Sequence, residues 1–477
     1  MTTSIESPGA PSLEIESGGS RFLFPILCGA AIFYAVMQTV IIPLLPVLPG
    51  LTNSSQVAVS WMVTITLLVG AVITPIFGRL ADMFGKKRLL LTAFVMMTFG
   101  SLLCAVSSDI AVLIGARALQ GAGAAVIPIG VSLLRDELPP HRVNSAIAMM
   151  SSTLGFGTAL GLPFSAAIAE FYNWHMLFIV TTLIGVVLTI ATVVFVRESP
   201  IGASGRFDGA GSVGLAAALV CLLVPITQGG TWGWTSSAVL STFAASAVLF
   251  ALWGVHQWRR ESPLVDLRVS MRRAVLIPNV VALLVGFAFF GNTLITTQLL
   301  QTPSDGAGYG LTIVQAALCQ LPTSAAMIIF AQVGVRITER FGSKVTMMCG
   351  AVVLTGGYIV HAMGGKDLWL VITTLGVTAI GTALVYSTLS ILIVRAVPVE
   401  MMAAANGVNV LLRTVGSTVC SAVVATILAA HLVAGTHFST ESGFTGAYLV
   451  CALLSVIVLI ACVALPGRNT QMKKVCA

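Results

Sequence analysis

Apolar residues run in blocks of about 20 along almost the whole chain, separated by short polar segments. A helix rising about 1.5 Å per residue crosses a hydrocarbon core of roughly 30 Å in that length. The blocks therefore predict fourteen helical spans, near 22–48, 57–80, 88–107, 110–134, 143–169, 175–196, 209–230, 236–256, 274–301, 312–335, 344–363, 368–394, 402–430 and 443–465. The expected fold is an all-α polytopic membrane protein with 14 transmembrane helices.

Composition agrees with that pattern. Of 477 residues, 57% are hydrophobic and only 9% are Asp, Glu, Lys or Arg, a balance no soluble protein of this size carries. The basic residues then fix an orientation. With residue 1 in the cytoplasm, 21 of the 24 Lys and Arg fall in inner segments, Lys366 falls outside, and Arg117 and Arg413 lie within spans. One missing or extra helix would scramble this asymmetry, so it supports both the count and two cytoplasmic termini. The net charge of +7 is thus a property of the inner face and requires no nucleic acid. Residues 1–21 are rich in Ser, Gly and Glu and are expected to form a disordered tail, with the first span as an uncleaved targeting signal. The nine cysteines are scattered singly, and no nucleophile, phosphate-loop or metal motif occurs. No enzyme activity, cofactor or metal is expected.

A charged, glycine-punctuated loop occurs twice. "RLADMFGKK" (79–87) matches "RITERFGSK" (336–344) at a constant offset of 257, pairing Arg79 with Arg336, Asp82 with Glu339, Gly85 with Gly342 and Lys87 with Lys344. The copies link spans 2 and 3 and spans 10 and 11, so a six-helix bundle is expected twice. The resulting division is a tail (1–21), an N-terminal bundle (22–200), two inserted helices with a basic cytoplasmic linker (201–273), a C-terminal bundle (274–466) and a second tail (467–477). Parallel halves of this kind are the architecture of alternating-access carriers, with the substrate site at their interface.

The first loop resembles the signature of the major facilitator superfamily, G-x-L-a-D-r-x-G-r-(K/R), through Gly78, Leu80, Asp82, Gly85, Lys86 and Lys87. "RALQGAGAA" (117–125) resembles the fourth-helix motif of its drug exporters, and "SWMVTITLL" (60–68) and "NGVNVLLRTVGS" (406–417) resemble segments of its fourteen-span drug:proton antiporter branch. The likeness covers nearly the whole chain. It implies export of amphipathic drugs, antibiotics or natural products by a monomer in the cell membrane, in exchange for protons. It also implies a conformational latch at Gly78, Asp82, Gly85, Lys86, Lys87 and Arg88, with Arg336, Glu339 and Gly342 as the second copy. Physically, Gly85 permits a tight turn, and the Asp82 carboxylate at an inner span end can pair with basic residues or with a helix N-terminus. The alternative for the lysines and Arg88 is anchorage to anionic lipid.

Two arginines sit inside the membrane, Arg117 roughly 10 Å from an outer end and Arg413 roughly 16 Å from an inner one. Each costs about 2.5–3.5 kcal/mol at a span centre, so each needs a polar cavity or a partner. Gln120 shares a helix face with Arg117, and Asn406 and Asn409 share one with Arg413. The resemblance places Arg117, Gln120 and Gly121 in a motif linked to proton transfer, and Arg413 is a transport candidate. The alternative for Arg117 is an arginine bonded to neighbouring carbonyls, holding the bundle together.

The chain also departs from its family. All 17 acidic residues lie in tails, loops or at span ends. Where the first-helix pattern D-x-T-I-V-N-x-x-L-P has its Asp and Asn, "MQTVIIPLLP" (37–46) has Met37 and Ile42, while Thr39, Leu45 and Pro46 fit. The fifth-helix pattern G-P-x-x-G-G becomes "GLPFSA" (161–166). There Gly157, Gly161, Pro163, Ser165 and Ala166 keep the small residues that close helix packing needs. A buried carboxylate is what stabilises a lipophilic dication, so a neutral or anionic amphiphile is the expected substrate.

Cavity candidates are Gln38, Trp61, Thr64, Phe290, Asn292, Gln298, Gln320 and Tyr386, each with ordinary helix packing as the alternative. Trp61, Trp174, Trp232, Trp234 and Trp369 fall near outer span ends, as interfacial anchors do. An uncoupled lipid or metabolite facilitator and a transport-inactive membrane sensor are the competing readings, although no inner segment is long enough for a signalling domain.

Overall fold

In the computed structural model, residues 22–41, 44, 48–54, 56–198, 207–303, 308–363, 367–398, 401–431 and 439–465 are described. Both predicted tails, the boundary at 200–201, Ile42, Leu45, Pro46, Lys366 and the side chain of Ala166 lie outside that description.

The long helices are α1 (Leu23–Thr39), α2 (Gln56–Phe84), α3 (Lys86–Val106), α4 (Ile110–Glu137), α5 (Pro140–Phe171), α6 (His175–Phe195), α7 (Gly209–Trp232) and α8 (Ser237–Arg259). They continue with α9 (Arg273–Gln301), α10 (Val314–Phe341), α11 (Ser343–Met363), α12 (Leu368–Ala396), α13 (Met402–Ala430) and α14 (Glu441–Val463). Among the described residues, twelve segments are long and apolar enough to cross a membrane. The other two expected positions hold the 17-residue α1 and the 32-residue α5. Helix α1 is shorter than its predicted span of 22–48; Pro43 and Pro46 follow in sequence, and neither can donate to a helical ladder.

Local chemistry sets the helix ends. In the duplicated loop, Gly85 separates α2 from α3 at φ 107° and Gly342 separates α10 from α11 at φ 93°. That backbone region favours glycine, so both copies of the loop use their glycine for the same turn. Asp109 begins α4 by accepting the N–H groups of Ala111 and Val112 at 2.8 and 3.1 Å. Within α4, the run "GAGAA" tightens into a 3-10 turn at Gly121–Ala125.

One apolar cluster joins α1 to α6 through Leu27, Phe33, Phe94, Met97 and Phe178. Two others fill the second half, around Tyr358 and Tyr448 and around Met347 and Tyr386. A fourth lies between the halves and the insert. Leu215, Leu219 and Leu223 of α7 pack with Leu68 and Ala71 of α2, Leu411 and Val415 of α13, and Leu264 and Val265 of the linker. Helix α8 lies outside α7 and exposes Leu240, Val248, Leu252 and Val255, a face for lipid. Trp174 departs from the anchor pattern. It is buried and meets Phe178 edge-on, so it packs the helix bundle instead.

Candidate functional site

On the inner side the halves meet along two seams, α2 with α13 and α5 with α10. Gly78 makes the first possible: a Cβ there would lie 2.7 Å from the carbonyl oxygen of Ala403. One turn on, Asp82 is buried and its Oδ2 accepts the N–H of Ala404 at 3.1 Å. This N–H belongs to the first turn of α13, where helix donors lack intrahelical partners and the dipole favours an anion. Arg135 reaches across from α4 to donate to the carbonyl of Val394 at 2.8 Å. Ser145 of α5 donates to Gln332 of α10 at 2.6 Å.

The basic residues of the loop go elsewhere. Lys86 is buried in an ion pair with Asp136 at 2.5 Å. Exposed Arg88 lies 3.6 Å from Glu198, which also accepts the backbone N–H of Lys87 at 3.1 Å. The Lys87 side chain donates to the carbonyl of Val193 near the end of α6 at 2.9 Å. Its counterpart Lys344 donates to Val463 at the end of α14 at 2.5 Å. The duplicated lysine thus satisfies a terminal carbonyl of the sixth helix in each half. The repeat is not symmetric beyond that. Arg336 and Glu339 are exposed, with no counterpart of the Asp82–Ala404 bond among the described residues.

Arg117 has no solvent exposure. Its Nε donates to Met62 O at 3.2 Å, and its Nη1 donates to Met37 O at 2.8 Å and to Gln120 Oε1 at 2.6 Å. Gln120 passes the connection to Ser101 at 3.1 Å. Gly121 lets α2 approach, since a Cβ there would sit 2.8 Å from Thr66 O. This is the carbonyl-bonded arrangement: one guanidinium ties α4 to α1 and α2, and Gln120 extends the tie to α3. Met37, standing where the family pattern has Asp, contributes its backbone oxygen.

Arg413 is held differently. It is buried, its Nη2 donates to Asn409 Oδ1 at 3.3 Å, and its Cζ lies 4.3 Å from the centroid of the Tyr386 ring. Asn409 is itself held by Asn279 at 3.1 Å. Tyr34 of α1, bonded to Gln38, stands within electrostatic reach of both arginines.

The other cavity candidates scatter. Trp61, Thr64 and Phe290 are half-buried, and Gln298 is exposed. Gln320 is buried and donates to Thr297 at 3.1 Å, and Asn292 is buried with its Oδ1 unpartnered. Gly157 and Gly161 seat α5 against Ile32, Ala35, Val36 and Thr39 of α1, beside half-buried Pro163 and buried Ser165. Sequence reasoning missed Tyr34, Arg135, Asp136, Ser145, Glu198, Gln332 and His361. Only the charges of "LRDE" (134–137) at an inner span end could have pointed to Arg135 and Asp136. His361 is buried, stacked on Tyr448 at 3.9 Å and 2.8 Å from Thr374 Oγ1.

The family model described as the Major Facilitator Superfamily matches residues 27–421. The chain belongs to that superfamily. This facilitator is 28% identical over 419 residues to the multidrug resistance protein Stp of Mycobacterium tuberculosis, covering 87% of this chain and 77% of that one. It is 26% identical over 421 residues to the tetracenomycin C resistance and export protein of Streptomyces glaucescens, covering 86% and 76%. It is 27% identical over 435 residues to a probable actinorhodin transporter of Streptomyces coelicolor, covering 88% and 74%. Its fold is similar to that of the human organic anion transporter MFSD10 (TETRAN), with a TM-score of 0.66 at 12% identity over 93% of this chain and 99% of that one. The chain is therefore a multi-pass membrane transporter of small molecules, and not an enzyme.

Proposed function

We propose that this facilitator exports amphipathic drugs or natural products by alternating access, driven by protons, and that it favours neutral or anionic substrates over dications. The observation that carries the substrate class is the pair of buried guanidinium groups, Arg117 and Arg413, in spans whose carboxylates lie only at helix ends. A dication entering such a chamber meets repulsion in a low-dielectric setting, whereas an anion or a neutral acceptor meets donors. The names of the Streptomyces relatives, which concern tetracenomycin C and actinorhodin, agree with a natural-product cargo.

In this reading the closed inner seam is the state open to the outside. The latch is Asp82 on the N-terminus of α13, together with the close approach at Gly78. Export requires these contacts to break and re-form. Lys87 and Lys344 belong to the fixed parts of the two halves, because each ties helices of its own half.

Met37 in place of the family's Asp favours a second reading, an uncoupled facilitator. Flux in proteoliposomes, with and without an imposed pH gradient, separates the two. Uphill movement that needs the gradient supports antiport. Movement only down the substrate gradient supports the facilitator, and best transport of ethidium-like cations overturns the substrate class.

A further inference from the structure

The two membrane arginines are finished to different degrees. The guanidinium of Arg117 has acceptors from three residues, all built into the first half, and leaves only its Nη2 buried without a partner. Arg413 has one, Asn409, and its Nε and Nη1 are buried without any partner. The hydroxyl of Tyr386 is also buried without a partner, on the ring over which that guanidinium lies. Three polar atoms at one locus are thus left open, and a buried cation without a counter-ion is costly unless something supplies one.

The surroundings fix this group in place. Gly286 brings α9 against the backbone of Arg413, where a Cβ would lie 2.9 Å from its Cα. Asn279 and Asn409 hold the Nη2 end, and Phe289 packs on Tyr386 with ring centroids 5.9 Å apart. The position also lies on a helix that packs against the other half. Helices α2 and α13 are close at Gly407, where a Cβ would sit 3.1 Å from Thr74 O, and Leu411 and Val415 continue the contact with Leu68 and Ala71. Arg413 lies six residues further along α13, roughly 9 Å from Gly407, between these two contacts. Tyr34, within its electrostatic reach, belongs to the other half.

We propose that the Nε and Nη1 groups of Arg413 and the hydroxyl of Tyr386 form the receptor for an anionic oxygen, a carboxylate or phenolate, of the amphipathic substrate. This rests on the exporter reading and narrows it from neutral-or-anionic to acidic cargo. The charge-assisted donors bind the acid's oxygen, with the rings of Tyr386 and Phe289 beside them for its hydrocarbon. Arg117, with three acceptors built in and only Nη2 open, has less to offer the same oxygen.

The test compares anthraquinone-2-carboxylate with its methyl ester, by equilibrium binding to the purified full chain and by flux in proteoliposomes. Wild type binds the acid roughly tenfold or more tighter than the ester, as expected for hydrogen bonds to a charged group. Arg413→Gln abolishes that preference and leaves ester binding within about threefold. Tyr386→Phe, which keeps the ring beneath the guanidinium, reduces the preference about threefold to tenfold with the ester unchanged. If Arg413→Gln does not fold, Tyr386→Phe decides alone. Equal binding of acid and ester by wild type overturns the proposal, as does a preference surviving intact in the folded variants or acid and ester falling together. Selective acid binding without flux overturns the exporter reading and leaves the receptor standing. Flux of both compounds without preference does the reverse.

Discussion

Replacing Gly78 by alanine puts a methyl carbon 2.7 Å from Ala403 O, 3.0 Å from Ala403 C and 3.2 Å from Ala404 Cα. All three are backbone atoms on the first turn of α13, so no rotamer change relieves the overlap. Favourable carbon contacts begin near ~3.5 Å, and the helices must separate by a large fraction of an ångström. Overpacking of this kind costs about 1–3 kcal/mol. If the seam exists only in the inward-closed state, the whole cost falls on that state, and the equilibrium shifts about 5- to 150-fold towards inward opening. The α5–α10 seam gives an independent reading. In a background without native cysteines, a cysteine pair at Ser145 and Gln332, whose side chains are hydrogen-bonded at 2.6 Å in the closed state, cross-links through a short bifunctional thiol reagent. Gly78→Ala is expected to lower that yield and to raise labelling of the pair from the cytoplasmic side. Gly115→Ala is the control, because its Cβ meets nothing within 4 Å and only helix propensity improves. An unchanged cross-linking yield in folded Gly78→Ala, or an equal loss in Gly115→Ala, would refute the reasoning.

Three further outcomes are expected. Asp82→Ala removes the acceptor for Ala404 N–H, a bond worth about 0.5–1.5 kcal/mol, and should weaken inner closure in the same cross-linking assay; Asp82→Asn keeps an acceptor and should fall between. Arg117→Ala should lower the thermal unfolding temperature in detergent well beyond Arg413→Gln, by about 3 kcal/mol of stability, because α1 and α2 lose a shared donor; equal shifts would show that Arg117 is not the tie described. Asp208 caps α7 and takes bonds from His256 at 3.0 Å, Gly211 N–H at 2.9 Å and Gln257 at 2.8 Å. Although burial pushes its carboxyl up, these donors hold it below the ordinary carboxylate value. Its contribution is therefore complete above about pH 4 and disappears as pH falls through the lowered value. Hydrogen exchange at residues 208–212, after correction for intrinsic rates, should accelerate as pH falls below about 4, and should accelerate in Asp208→Asn already at neutral pH.

The helices were legible because lipid demands long apolar runs, and the inner face was legible because basic residues stay on it. The duplicated loop carried more. Its glycines share one turn geometry, and its paired lysines share one kind of acceptor at the far end of each half. Reading Glu339 as a second Asp82 asked too much of the repeat. Pairing by sequence says nothing of which neighbouring helix offers its N-terminus, and Glu339 is exposed. The links from Ser145 to Gln332 and from Arg135 to Val394 span 187 and 259 positions. Single polar residues that far apart leave no local pattern to find. The two arginines were visible as charges, but their different states were not. Those depend on which carbonyls α1 and α2 present, and backbone oxygens have no signature in a sequence.

The leucine row on α7 has a mechanical consequence. Leu215, Leu219 and Leu223 recur at every fourth position and touch α2 and α13 together. When those two helices part company, this row must lose its footing on at least one of them. Side chains stacked a turn apart re-seat only in whole notches of about 5 Å, so the inserted pair would give the rocking motion a detent rather than a smooth glide.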